Sequence, residues 1–92
     1  MYLTFKSAAV SFAFGTVSFF LADEDRTIRV DVGQEILAKL ADSPLGSKAD
    51  YVRRLGEHRG EFALIAAAKY ARGDYRQEVR VLVIDIHTSD LF

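Results

Sequence analysis

The chain has no cysteine and no tryptophan, one proline, two histidines and six glycines, none of them adjacent. Without cysteine there can be no disulfide and no thiolate metal site, and the composition fits a reducing cytoplasm. The histidines, His58 and His87, fall on different predicted elements and lack zinc-ligand spacing such as H-E-x-x-H. Isolated glycines exclude a phosphate-cradling loop of the P-loop type. Nucleophilic catalysis needs a serine or threonine activated by a base, and the serines lie in strands or loops with no G-x-S-x-G elbow. These absences argue against an enzyme, and no catalytic residue, metal or cofactor is expected. Nor does either charge dominate. The formal net charge is −1, which gives no overall pull toward nucleic acid or an anionic membrane.

What is present is apolar. Hydrophobic residues make up 50% of the 92, enough for one small domain spanning residues 1–92. A chain of this size buries about two-thirds of its unfolded surface, so its stability rests on a modest core.

Residues 7–22 carry no charge and follow Lys6, as the apolar run of a secretory signal would. The run is shorter than the roughly 20 residues of a spanning helix. Val10, Phe12 and Phe14 alternate with Ser11 and Ala13, and Val17, Phe19 and Leu21 repeat the period, which predicts strands and no membrane partner. Residues 2–14 read as extended with an irregular start, Gly15 as a turn, and 16–22 as a strand. Residues 23–25 form a charged tip. In 27–32, Ile28, Val30 and Val32 share one face while Arg29 and Asp31 share the other, the signature of a half-buried strand.

Residues 34–41 place Ile36, Leu37 and Leu40 at helical spacing, and 42–46 (Asp-Ser-Pro-Leu-Gly) break the pattern. A long helix is predicted over 49–72, capped by Ser47 or Asp50, with Val52, Leu55, Phe62, Ile65 and Ala66 on its apolar stripe and Gly73 as its stop. Residues 74–77 read as a connection, 79–86 as a last strand apolar on both faces, and 87–92 as a loose tail. The expected fold is α+β: an antiparallel sheet of about four strands with two helices on one face, in the order β-β-β-α-α-β. The expected core comprises Phe19, Leu21, Ile28, Val30, Leu37, Leu40, Val52, Leu55, Phe62, Ile65 and Val83.

Four features bear on function. Gly56, Gly60, Ala63 and Ala67 form a face of small residues on the long helix, and glycine there costs about 1 kcal/mol relative to alanine. Close packing against another backbone is the expected reason, and the first helix or the sheet of the same chain is favoured over a second subunit. Arg59, with His58 beside it, borders the apolar stripe and could hold an anion or a partner, or pair with Asp85 or Asp31. A Glu57–His58–Glu61 ion site is disfavoured for want of a metal motif. Phe20, Leu82 and Ile84 are expected to face away from the core as an association face. Lys48, Arg53, Arg54, Arg59, Lys69, Arg72, Arg76 and Arg80 make a basic run interleaved with acids. A solvated helix face explains it better than nucleic-acid binding, and the two helices resemble a helix-turn-helix only superficially.

The sequence also resembles a small bacterial family, domain of unknown function 1488, over residues 17–83. The resemblance is carried by Val17-Ser18-Phe19, Ile28-Arg29-Val30-Asp31-Val32, Glu35-Ile36-Leu37, Arg59, Phe62, Ile65-Ala66-Ala67-Ala68-Lys69-Tyr70 and Gly73. The apolar start at residues 8–14 departs from the family pattern. The resemblance implies a compact α+β fold and no activity. The functional expectation is a non-enzymatic interaction module that self-associates as a homodimer. Nucleic-acid binding through the long helix is the alternative, and anion binding near Arg59 comes third.

Overall fold

A computed structural model describes residues 4–13, 15–40 and 46–91. The elements run β1 (Thr4–Ala13), β2 (Thr16–Asp23), β3 (Arg26–Gly33), α1 (Gln34–Leu40), α2 (Lys48–Arg72), β4 (Arg76–Glu78) and β5 (Val81–Ile86), followed by one 3-10 turn at Thr88–Asp90. The expected α+β class holds. Among the described residues the sheet has five strands in the order β1-β2-β3-β5-β4. It is mixed rather than wholly antiparallel, because β5 runs parallel to β3. The additional strand, β4, is three polar, exposed residues. It carries no apolar alternation and so reads as a connection in the sequence, yet it reverses the chain and makes β5 parallel to β3.

Alternation builds the core. Val17, Phe19 and Leu21 of β2 stand opposite Val32, Val30 and Ile28 of β3, which stand beside Ile86, Ile84 and Leu82 of β5. All nine are buried. Phe12, Val10 and Phe5 of β1 extend the rows, with a register irregularity between Phe5 and Val10. Phe14 and residues 41–45, read from the sequence as strand, helix end and breaker, lie outside the described residues. Gly15 turns the chain at φ 74, where a residue with a Cβ would be strained.

On the covered face, Ile36 and Leu37 of α1 and Leu55, Phe62, Ala66 and Tyr70 of α2 complete one cluster. Leu40, Val52 and Ile65, expected in the core, pack partly buried at its edge. Ser47 caps α2, its Oγ accepting from the Asp50 N–H at 3.2 Å, and Gly73 closes it at φ 78. The tail is not loose as far as Leu91. Leu91 packs on the core, and Asp90 is ion-paired to Lys69.

Val83 is buried as expected but outside that cluster. It points to the other face of the sheet, between its register partners Arg29 and Arg76.

Candidate functional site

The outer sheet face is not an apolar surface. Leu82 and Ile84, expected there, are buried under the helices, because the run 82–84 alternates faces and Val83 is the residue that points outward. Of the three, only Phe20 stands on the outer face, beside its register partner Arg29. A polar lattice fills the rest. Arg29 donates to Asp31 at 2.9 and 3.2 Å, and the Ser18 hydroxyl donates to the same carboxylate at 2.7 Å. Arg76 donates to Asp85 at 2.9 and 3.2 Å and to Glu78 at 2.7 Å. Paired bonds of this kind fix planar guanidinium and carboxylate groups.

The basic run is largely consumed in such pairs. Arg53 meets Asp50, Arg54 meets Glu57, Arg72 meets Asp74, and Lys69 is buried against Asp90. Phosphate binding needs several free cations on one surface, and α2 does not present them.

Arg59 pairs with neither Asp85 nor Asp31. Its guanidinium lies 4.4 Å from the centroid of the Phe5 ring, a cation–π contact that covers the edge of β1. His58 directs Nδ1 toward Glu61 at 3.4 Å and packs its ring near Phe62. The two neighbouring residues therefore serve different parts of the surface and do not form one pocket. Among the described residues, no group of three or more His, Asp or Glu could hold a metal ion. No described helix is long and apolar enough to cross a membrane.

The small-residue face of α2 departs most from expectation. Gly56 and Gly60 are exposed, and a Cβ added at either would meet nothing within 4 Å. They do not receive another part of the chain among the described residues. At 100° per residue, Ala49, Arg53, Gly56, Gly60, Leu64, Ala67 and Ala71 fall on one line opposite the buried stripe. Ala63 and Ala67 are half-buried at the margin of that line. Leu64, at its centre, is 75% exposed. Solvent faces of helices ordinarily carry charge; here Arg53 lies on the line, and Glu57 and Glu61 follow Leu64 on one side of it.

Sequence reasoning missed two polar assemblies at the C-terminal end of α2. Tyr70 donates its hydroxyl to Asp23 at 2.6 Å and accepts from Arg26 at 3.2 Å. Burial and the Asp23 bond push its pKa up, the bond being the larger effect. Lys69 donates to Asp90 at 2.7 Å and to the Asp85 carbonyl at 2.8 Å. Both positions lie three to four residues beyond Ala66 on the buried stripe, a spacing visible in the sequence. No protein-family model matches the chain, and no curated protein or solved structure matches it either.

Proposed function

We propose that the protein is a non-enzymatic interaction module that pairs with a second copy of itself through the outward face of α2. The observation behind this reading is Leu64, 75% exposed in the middle of a row of small residues with open space above Gly56 and Gly60. Two helical glycines cost about 1 kcal/mol each, and no described residue of the monomer packs against them.

A second copy fits this face by size. A two-fold axis midway between Gly60 and Leu64 sets antiparallel helices so that Leu64 lies over the partner's Gly60 and Ala68 over the partner's Gly56. The same axis puts Glu57 beside the partner's Ala67 and Glu61 beside the partner's Ala63, so like charges do not meet. Isologous pairing of this kind is the commonest closed symmetry. The sheet-face route is not carried forward, since Leu82 and Ile84 are covered. Membership of domain of unknown function 1488, bacterial origin and a cytoplasmic setting belong to the same proposal, on the residues quoted above and the absence of cysteine.

Sedimentation velocity at micromolar concentration tests the reading. The natural chain is expected to sediment as a dimer and Leu64→Glu as a folded monomer. A natural chain that stays monomeric across the micromolar range would overturn it, as would a Leu64→Glu variant that still dimerises.

A further inference from the structure

Two turns at one end of the sheet hold non-glycine residues at positive φ: Glu24 at 54° between β2 and β3, and Arg80 at 67° between β4 and β5. A side chain with a Cβ adopts this conformation at a cost, and such strain gathers at binding sites. Because β3 and β5 are parallel, with Ile28 beside Leu82, the same register carried back two residues sets Arg26 beside Arg80. Between them opens a cleft of about 420 Å³ whose walls include Asp25, Arg26, Tyr75, Gln77, Arg80 and Val81. That size lies within the range of small-molecule sites, roughly 300–1,000 Å³.

The two arginines differ from most others in the chain. Arg29, Arg53, Arg54, Arg72 and Arg76 each have a carboxylate within 4.0 Å. Arg80 has no hydrogen bond, ion pair or ring contact among the described residues. Among the described residues Arg26 makes one side-chain hydrogen bond, to the Tyr70 hydroxyl at 3.2 Å, which fixes its place while leaving most of its donors open. Among the lining residues Asp25 alone opposes the two arginines, while Asp23 acts on Arg26 from behind the Tyr70 hydroxyl. Tyr75 adds an aromatic wall, braced by the Tyr70 ring at 5.5 Å. The Gln77 amide nitrogen donates to the Glu78 carbonyl, leaving its oxygen to accept.

We infer that this cleft binds a small phosphate monoester bearing a planar ring, with Arg26 and Arg80 on the phosphate and Tyr75 against the ring. Two guanidinium groups at one end match a dianion, because each can give paired N–H donors to phosphate oxygens. The aromatic side chain and the acceptors of Gln77 and Asp25 suit a flat group with exchangeable hydrogens. A nucleoside monophosphate carries all of these features in one molecule.

Arg80→Gly separates ligand binding from folding, since glycine adopts positive φ without strain and the exposed side chain it removes makes no contact among the described residues. The full-length chain, isotopically labelled, is titrated with adenosine monophosphate, adenosine and inorganic phosphate while amide shifts are followed by NMR. Saturable shifts centred on Arg26, Tyr75, Gln77 and Arg80 are expected with adenosine monophosphate, which should bind more tightly than either fragment. Arg80→Gly should melt no lower than the natural chain yet lose about tenfold or more in affinity. Three outcomes would overturn the inference: no saturable shift at millimolar monophosphate, adenosine or phosphate binding as tightly as the monophosphate, or unchanged affinity in Arg80→Gly. Sedimentation of the same variant, expected to be unaltered, keeps this result independent of the α2 pairing.

Discussion

The ammonium of Lys69 lies 2.7 Å from the Asp90 carboxylate and 2.8 Å from the Asp85 carbonyl, with the residue only 2% exposed. One side chain thereby ties the last turn of α2 to β5 and to the tail beyond it. A buried lysine persists where its donors are satisfied.

Breaking that pair should be costly. Asp90→Asn is expected to destabilise the fold by about 3 kcal/mol, the low end for a buried pair because Asp90 is partly exposed. Replacing both partners, as Lys69→Met with Asp90→Leu, should cost less than the sum of the single changes. Urea denaturation at neutral pH measures all of these variants.

The same carboxylate sets an acid limit. Burial alone would raise the Asp90 pKa, but hydrogen bonds from Lys69 and the His87 N–H, with the charge of Lys69, carry it below the ordinary carboxylate value. A group whose folded pKa is depressed contributes stability above its unfolded pKa and loses it as the pH falls through the folded one. The natural chain should therefore lose stability below about pH 4, and Asp90→Asn should lose less over the same interval. Melting temperatures from pH 7 to pH 2 give the comparison.

At the alkaline end Tyr70 contributes. Its folded pKa is raised, first by the hydroxyl's bond to Asp23 and then by burial. The folded state thus holds the phenolic proton more tightly than the unfolded one. The resulting stability is complete below the unfolded value near 10 and is lost as the pH rises through the raised folded value. Tyr70→Phe should lose about 1–2 kcal/mol at neutral pH, from the bonds to Asp23 and Arg26, and should flatten the decline above pH 10. Ultraviolet titration of the tyrosines alongside denaturation checks both parts.

Much of the fold was legible because its signals are local. The alternation of Val17, Phe19 and Leu21 with Ile28, Val30 and Val32 specifies the central hairpin, and Ser47 and Gly73 mark the ends of α2. What was not legible depends on strand order. Leu82, Val83 and Ile84 read as a run apolar on both faces, but only the pairing with β3 decides that Val83 points outward among arginines. Arg26 and Arg80 look unrelated in sequence, and become neighbours only because β5 is parallel to β3. Gly56 and Gly60 announced an unusual helix face, but spacing alone could not say whether their own chain covered it.

Phe62 tests the core. It is fully buried at the middle of α2 and is among the largest such side chains. Phe62→Ala should cost about 3–5 kcal/mol, a large share of the roughly 5–15 kcal/mol that holds a small domain together. Phe62→Asp should abolish cooperative unfolding, since a buried carboxylate there would have no partner. Circular dichroism melts distinguish the two variants.

The helical glycines offer the sharpest contrast between folding and association. Alanine at Gly56 or Gly60 meets open space, so only backbone entropy and helix propensity change. In a Leu64→Glu background, which removes the proposed pairing, each substitution should raise stability by about 0.5–1 kcal/mol. A larger side chain should part the two effects. Gly60→Leu also meets open space within its own chain and should fold at least as stably as the natural sequence. Across the two-fold it would collide with the partner's Leu64. Stable folding combined with loss of the dimer in sedimentation is the expected result. A Gly60→Leu chain that folds and still dimerises would place the contact elsewhere, because a helix seam built on a small residue has no room for that side chain.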